Sequence, residues 1–84
     1  MIRKVTFSDA VRKRLKKLYK KRSLTMHEFA VMIGIPYSTI NTFMNAKSNS
    51  ITLKTLYKMC EGLDISVKEF FNDELFENLK EDEF

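Results

Sequence analysis

Residues 24–45 of this chain mark the start and stop of two short helices and the turn between them. Thr25-Met26-His27-Glu28 is a T-x-x-E capping box. In such a box the Thr hydroxyl accepts from the third helical N–H, while the Glu side chain reaches back to the Thr N–H. Leu24 and Phe29 stand where a hydrophobic staple needs them. Gly34 then ends the helix, because glycine takes a left-handed conformation at no steric cost. Pro36 opens the next helix, where its missing N–H is no loss. Ala30, four residues before Gly34, lets the two helices cross closely. That is the physical content of a helix-turn-helix, whose second helix enters the major groove of DNA.

The rest of the chain is also written in helical spacing. It has two Gly, one Pro and no useful β-branched alternating run, so the expected fold is all-α. Residues 1–8 read as an arm, with Val5-Thr6-Phe7 able to be briefly extended. Ser8 is the expected N-cap of a first helix at about 9–22, with Asp9 at its positive pole. Val11, Leu15 and Leu18 form its apolar stripe. The second helix, about 26–33, turns Phe29, Ala30 and Ile33 inward. The third, about 37–45, turns Ile40 and Phe43 inward. Its other faces carry Tyr37, Ser38, Asn41, Thr42 and Asn45, an uncharged hydrogen-bonding surface where a merely solvated helix would carry Lys and Glu. Thr52 caps a fourth helix, about 53–62, with Leu53, Leu56, Met59, Cys60 and Leu63 expected inside and Asp64 left-handed beyond it. Ser66-Val67-Lys68-Glu69 is a second capping box and opens a fifth helix with Val67, Phe70 and Phe71. The domain spans 9–72, and 73–84 is an acidic tail expected to form a short helix.

Charge and composition narrow the chemistry. Ten basic residues against one acid occupy residues 1–22, and six acids against one base occupy residues 72–84. A basic front end points to a polyanion, and the competing reading is a solvated helix face. Arg3, Lys4, Arg12, Lys13, Lys16, Lys47 and Lys54 are the candidate phosphate-facing cations. One Cys and one His exclude a disulfide framework, a Cys-based zinc site and a multi-His metal site. His27 reads as exposed, near a phosphate at most, and Cys60 as a small core hydrophobe. No nucleophile–base constellation and no phosphate-cradling Gly loop is present, so no enzyme and no cofactor are expected. No apolar run reaches the ~18 residues of a membrane span, and no signal peptide is evident. A cytoplasmic protein is expected.

The stretch from Leu24 to Ile40 resembles the phage-repressor, Cro-like (XRE family) helix-turn-helix, commonly read LT-x-x-ELA-x-x-x-G-[IV]-S-x-ST-I. The resemblance continues through Leu53-Lys54-Thr55-Leu56 and from Leu63 to Phe71, covering about residues 11–71. It implies a compact five-helix DNA-binding domain, a bacterial or phage-encoded transcription regulator on the nucleoid, and a homodimer on a palindromic operator. Carried over by position, it implies base contacts from Tyr37, Ser38, Asn41 and Thr42. It implies phosphate contacts from the N–H groups of Thr25 and Met26, and from Lys47, Asn49 and Thr52. Three positions depart from the pattern: Pro36 replaces a Ser-like cap, Ile51 replaces a proline, and Tyr19 and Met44 stand where the family often pairs Arg with Glu. The third helix has no Arg for bidentate guanine reading, while Asn41 suits adenine and the Thr methyls suit thymine. An A/T-containing half-site is expected.

The C-terminal segment holds more apolar side chains than so small a domain needs. Phe71, Leu75, Phe76 and Leu79 are therefore candidates for the dimer interface, against the alternative that they fold back on their own domain. The same segment suits a protein partner, as in an antitoxin that binds a toxin as well as DNA. Glu77, Glu81, Asp82 and Glu83 can also lie on the basic first helix and compete with DNA.

Overall fold

A computed structural model describes residues 5–80. Five helices account for most of them: α1 Phe7–Lys21, α2 Met26–Ile33, α3 Tyr37–Met44, α4 Leu53–Gly62 and α5 Val67–Phe71. A 3-10 turn, Glu74–Phe76, follows α5. Two-residue strands β1, Val5–Thr6, and β2, Leu79–Lys80, pair in parallel with Val5 opposite Leu79 and Thr6 opposite Lys80.

The expected caps form, with one correction. Thr25 and Glu28 make the reciprocal capping box of α2, at 3.1 and 2.9 Å. The Thr52 hydroxyl accepts from the Thr55 N–H and the Ser66 hydroxyl from the Glu69 N–H, the latter being half of the capping box expected there. At α1 the cap is Thr6 rather than Ser8: the Asp9 N–H donates to the Thr6 hydroxyl at 3.1 Å. Ser8 is the second residue of the helix, buried, and its hydroxyl donates to the Asn49 carbonyl at 2.9 Å. The early start places Phe7 in the first turn, stacked on Phe71 at 6.1 Å and tilted against Phe76 at 6.2 Å.

Helices α1 to α4 each end on a residue in the left-handed region, Ser23, Gly34, Ala46 and Asp64. In each case the next N–H bonds back into the final turn, at 3.0 or 3.1 Å, to the carbonyl of Tyr19, Ala30, Thr42 and Cys60 respectively. This stop satisfies carbonyls that a helix end leaves unpaired and turns the chain sharply. It keeps α2 and α3 only a few residues apart.

Phe29, Phe70, Leu15, Ile40, Met59, Leu63 and Cys60 are fully buried at the centre. Burying a large apolar side chain contributes about 1.5–3 kcal/mol. Burial also pushes the Cys60 thiol above its usual range. Leu53, expected inside, is 84% accessible, and Val67 is exposed as well. Both sit in the first turn of a helix, beyond the reach of the core, which α4 meets through Leu56, Met59 and Cys60.

Helix α1 bonds the C-terminal ends of three other helices through arginines. Arg12 Nε donates to the Phe43 carbonyl at the end of α3, at 2.6 Å. Arg14 donates to the Phe70 and Glu69 carbonyls at the end of α5, at 2.8 and 2.9 Å. Arg22 donates to the Leu63 carbonyl just beyond α4. Each places a cation at the negative pole of a helix.

The segment after α5 folds back on α1. Asp73 accepts from Lys17 at 2.9 Å and Arg14 at 3.2 Å, and its other oxygen takes the Leu75 N–H. Phe76 joins a ring cluster with Phe7, Phe70 and Phe71. The expected tail helix is thus a single 3-10 turn.

Two predictions follow from this packing. A Cβ on Gly62 would lie 2.5 Å from Ile33 Cγ2 and 3.5 Å from Ile33 Cα, so the β-branched neighbour cannot rotate clear. Gly62→Ala should cost roughly 1–3 kcal/mol from overpacking, despite about 1 kcal/mol gained in helix propensity. Urea midpoints measure it. Burial raises the Asp73 carboxyl, but the Leu75 N–H, Lys17 and Arg14 outweigh it and hold the group below the ordinary value. Its stabilisation is therefore full above the unfolded pKa of about 3.9 and is lost as pH falls through the folded value. Asp73→Asn should lower the urea midpoint at pH 7, and the gap to the wild type should narrow by pH 3.

Candidate nucleic-acid interface

Helix α3 is presented outward by its own polarity. Ile40 and Phe43 are buried; Ser38, Thr39, Thr42 and Asn45 are exposed, Asn41 half-buried. No side chain caps its N-terminus, where Pro36 stands. Ser38, Thr39 and Thr42 form one wall of an open groove of about 360 Å³, and Ser48, Ser50, Thr52 and Thr55 form another. Seven hydroxyl-bearing residues thus line the groove beside Phe43 and Ile51, and of these the Thr52 hydroxyl donates to Thr55 Oγ1 and the Ser48 hydroxyl to the Ser50 carbonyl. Of the residues expected to meet DNA, it brings together Ser38, Thr42 and Thr52. Thr39, Ser48, Ser50 and Thr55 were not foreseen. Thr55 had a sequence signal, its place three residues after the cap Thr52, to which its hydroxyl is bonded at 2.9 Å.

The other expected contacts are placed less simply. Tyr37 is 42% accessible at the start of α3 and its ring lies 5.1 Å from that of exposed His27 on α2. Asn41 Oδ1 accepts from Asn45 Nδ2 at 2.6 Å, an i,i+4 pair along the outer face. A bidentate adenine contact by Asn41 requires this bond to open. The Thr25 N–H is engaged by Glu28, whose carboxyl is held below its usual range by the Thr25 backbone and side chain. The Met26 N–H lies in the first turn of α2, where no intrahelical carbonyl reaches it. Asn49 Oδ1 accepts from Arg12 at 2.7 Å, so this side chain faces α1. Lys47 is exposed just past α3.

Among the candidate cations, Lys13, Lys16, Lys47 and Lys54 are exposed. Arg12 is not: it is buried at 7% accessibility and bonded on all sides within the protein. Arg3 and Lys4 lie outside the described residues, as do Glu81, Asp82 and Glu83. Glu77 is exposed and lines a shallow hollow with Lys17 and Asp73. Where an Arg–Glu pair was looked for, Tyr19 is buried against the Phe29 ring at 5.3 Å and Met44 packs half-buried on the same core. Burial, with Tyr37 nearby, raises the Tyr19 phenol further.

The residues expected at a dimer interface divide. Phe71 and Phe76 are half-buried in the ring cluster of their own chain, 4.9 Å apart. Leu75 is half-buried and Leu79 exposed in β2. A separate apolar hollow of about 290 Å³ lies beside the hydroxyl groove, lined by Phe7, Val11, Leu53, Leu56, Val67 and Phe71 among others. Tyr57, also exposed, is one helical turn from Leu53.

Two short helices joined by a left-handed Gly turn, with the second presenting hydroxyls and amides, define a helix-turn-helix DNA-binding domain. The family model of the Cro/C1-type HTH DNA-binding domain matches residues 14–75, and the chain belongs to that family. The fold is similar to a solved structure described as the prophage Lp1 protein 11, with a TM-score of 0.75 and 31% sequence identity. That match covers 84% of this chain and 93% of the other. No curated protein matches the chain. Among the described residues, no helix is long and apolar enough to cross a membrane. Nor does any group of three or more His, Cys, Asp or Glu there stand ready to hold a metal ion.

The expected roles of base reader and phosphate holder are separable by mutation. Ser38→Ala with Thr42→Ala should reduce preference for a specific duplex by roughly 1–3 kcal/mol per lost base contact while sparing random DNA. Lys47→Ala should weaken both alike and flatten the salt slope by about 0.9. Fluorescence anisotropy at several salt concentrations distinguishes the two patterns.

Proposed function

We propose that this chain is a sequence-specific transcriptional repressor that binds a palindromic operator as a homodimer, with α3 in the major groove. The observation that carries this reading is the outer face of α3, uncharged, rich in hydroxyls and amides, and continuous with a hydroxyl-lined groove. Such a face suits base edges, and the exposed lysines beside it suit phosphates. Without Arg on α3, the half-site favours A/T pairs. Tyr37, Ser38, Asn41 and Thr42 act as base readers; Met26 N–H, Lys47 and Thr52 hold the backbone. A regulator of this kind works in the cytoplasm on the nucleoid.

The size of the domain leaves room for two copies on one operator. Half-sites one turn apart are separated by about 34 Å. The shorter axes of the domain are 25 and 21 Å, so two copies fit side by side. The C-terminal segment offers Leu75 and Leu79 to such a contact, and the apolar hollow around Leu53 and Val67 offers a larger surface. The same exposed apolar residues favour a second reading, an antitoxin-like module that binds a protein partner as well as DNA.

Selection from a random double-stranded library at two salt concentrations tests the proposal. The expected result is a palindrome with half-sites about one helical turn apart. Retention without enrichment would mean binding by charge alone. No retention at low salt would favour the protein-partner reading.

A further inference from the structure

We propose that Arg12 is a positioning residue for DNA reading: a buried clamp that sets α3 and the following loop against α1, rather than a cation that touches phosphate. This rests on the reading of α3 as the recognition helix. Helix α3 has only eight residues and ends on Ala46 in the left-handed region. Its reading face needs a fixed angle, because contacts to base edges tolerate errors of only about 0.5 Å.

Arg12 meets three segments at once. Its Nε donates to the Phe43 carbonyl in the last turn of α3 at 2.6 Å. One terminal nitrogen donates to the Ser48 carbonyl at 2.8 Å and to Asn49 Oδ1 at 2.7 Å, both in the loop before α4. The other donates to Asp9 on its own helix at 2.7 Å. The guanidinium carbon lies 4.8 Å from the Phe43 ring centroid. A planar fork can serve these directions together, whereas a lysine ammonium presents one point charge. The loop it grips carries Ser48 and Ser50 of the hydroxyl groove, with Lys47 beside them, and α3 carries Ser38 and Thr42. Arg12 therefore fixes the base-reading wall of the groove relative to the opposite wall. At 7% accessibility, with all three guanidinium nitrogens bonded within the protein, it is not placed to touch a phosphate.

The test compares the wild type with Arg12→Met, which keeps much of the side chain's length and loses the fork. Binding to the selected operator and to random duplex is measured across a salt series, at a temperature where circular dichroism shows both proteins folded. The expected result is a tenfold or greater loss of preference for the operator, with random-duplex affinity and salt slope unchanged. A slope reduced by about 0.9, with both affinities lowered together, would make Arg12 a phosphate contact and overturn the proposal. A lower melting temperature with unchanged preference would make it merely structural and overturn it too. If Arg12→Met does not fold, Asp9→Ala removes one acceptor at the half-exposed rim of the clamp. A smaller loss of preference in the same direction supports the proposal, and unchanged preference overturns it. Without DNA, the Ala46 and Lys47 amides, bonded to the Phe43 and Thr42 carbonyls, should exchange with solvent at least tenfold faster in folded Arg12→Met. The Ile35 amide, bonded to Ala30, should not change. Equal exchange at all three would count against the clamp. A wild type with no sequence preference would instead overturn the reading of α3, and that outcome is distinct from every failure of Arg12.

Discussion

The molecule depends on cations placed at the negative ends of its helices. Helices this short leave several carbonyls without partners, and those groups cannot be buried unpaired without cost. Arg12, Arg14 and Arg22, all from α1 or its C-cap, bond the ends of α3, α5 and α4. Helix α1 thus serves as a strut against which the others are oriented. It also explains a charge density that looks at first like a DNA-binding surface. Part of that charge is structural, and exposed lysines such as Lys13 and Lys16 remain for solvent or phosphate.

The same economy of chain shapes the candidate interface. Left-handed stops after α1, α2, α3 and α4 let the chain reverse within a few residues. Helix α3 is then held from below by Ile40 and Phe43 and from its end by Arg12, so its outer face is spared any packing duty. That freedom is what allows Ser38 and Thr42 to face a groove shared with Ser48, Ser50 and Thr52. The C-terminal segment completes the domain by returning to α1, where Asp73 meets Arg14 and Lys17 and β2 pairs with β1.

Much of this was legible in the residues, and the reasons differ by element. Thr25 and Glu28 announce α2 because a capping box is local chemistry, complete within four residues. Gly34 and Asp64 announce their stops because glycine lacks the Cβ that opposes the left-handed region and aspartate tolerates it. Ser23 and Ala46 take the same conformation without announcing it, at exposed positions where the Leu24 and Lys47 N–H groups bond back into the helix. Ser8 misled because a good capping residue was taken inside to bond the Asn49 carbonyl, forty-one positions away. Leu53 looked like core because helical periodicity does not say where the core stops. In the site, Ser38 and Thr42 were readable as polar residues on an otherwise supported helix. The roles of Arg12 and Asn49 were not, because they bond across the fold to partners thirty-one and thirty-seven residues from Arg12. Phe71 and Phe76 read as surplus because their partner Phe7 lies at the other end of the chain.

The central claim is that α3 and the groove beside it form the surface that meets DNA. Amide chemical-shift mapping of isotope-labelled protein, titrated with an enriched duplex, tests it most directly. The account predicts the largest changes at residues 37–42, at residues 47–52 and at Met26. Changes centred on the C-terminal segment or on the apolar hollow around Leu53 and Val67, with α3 silent, would contradict it.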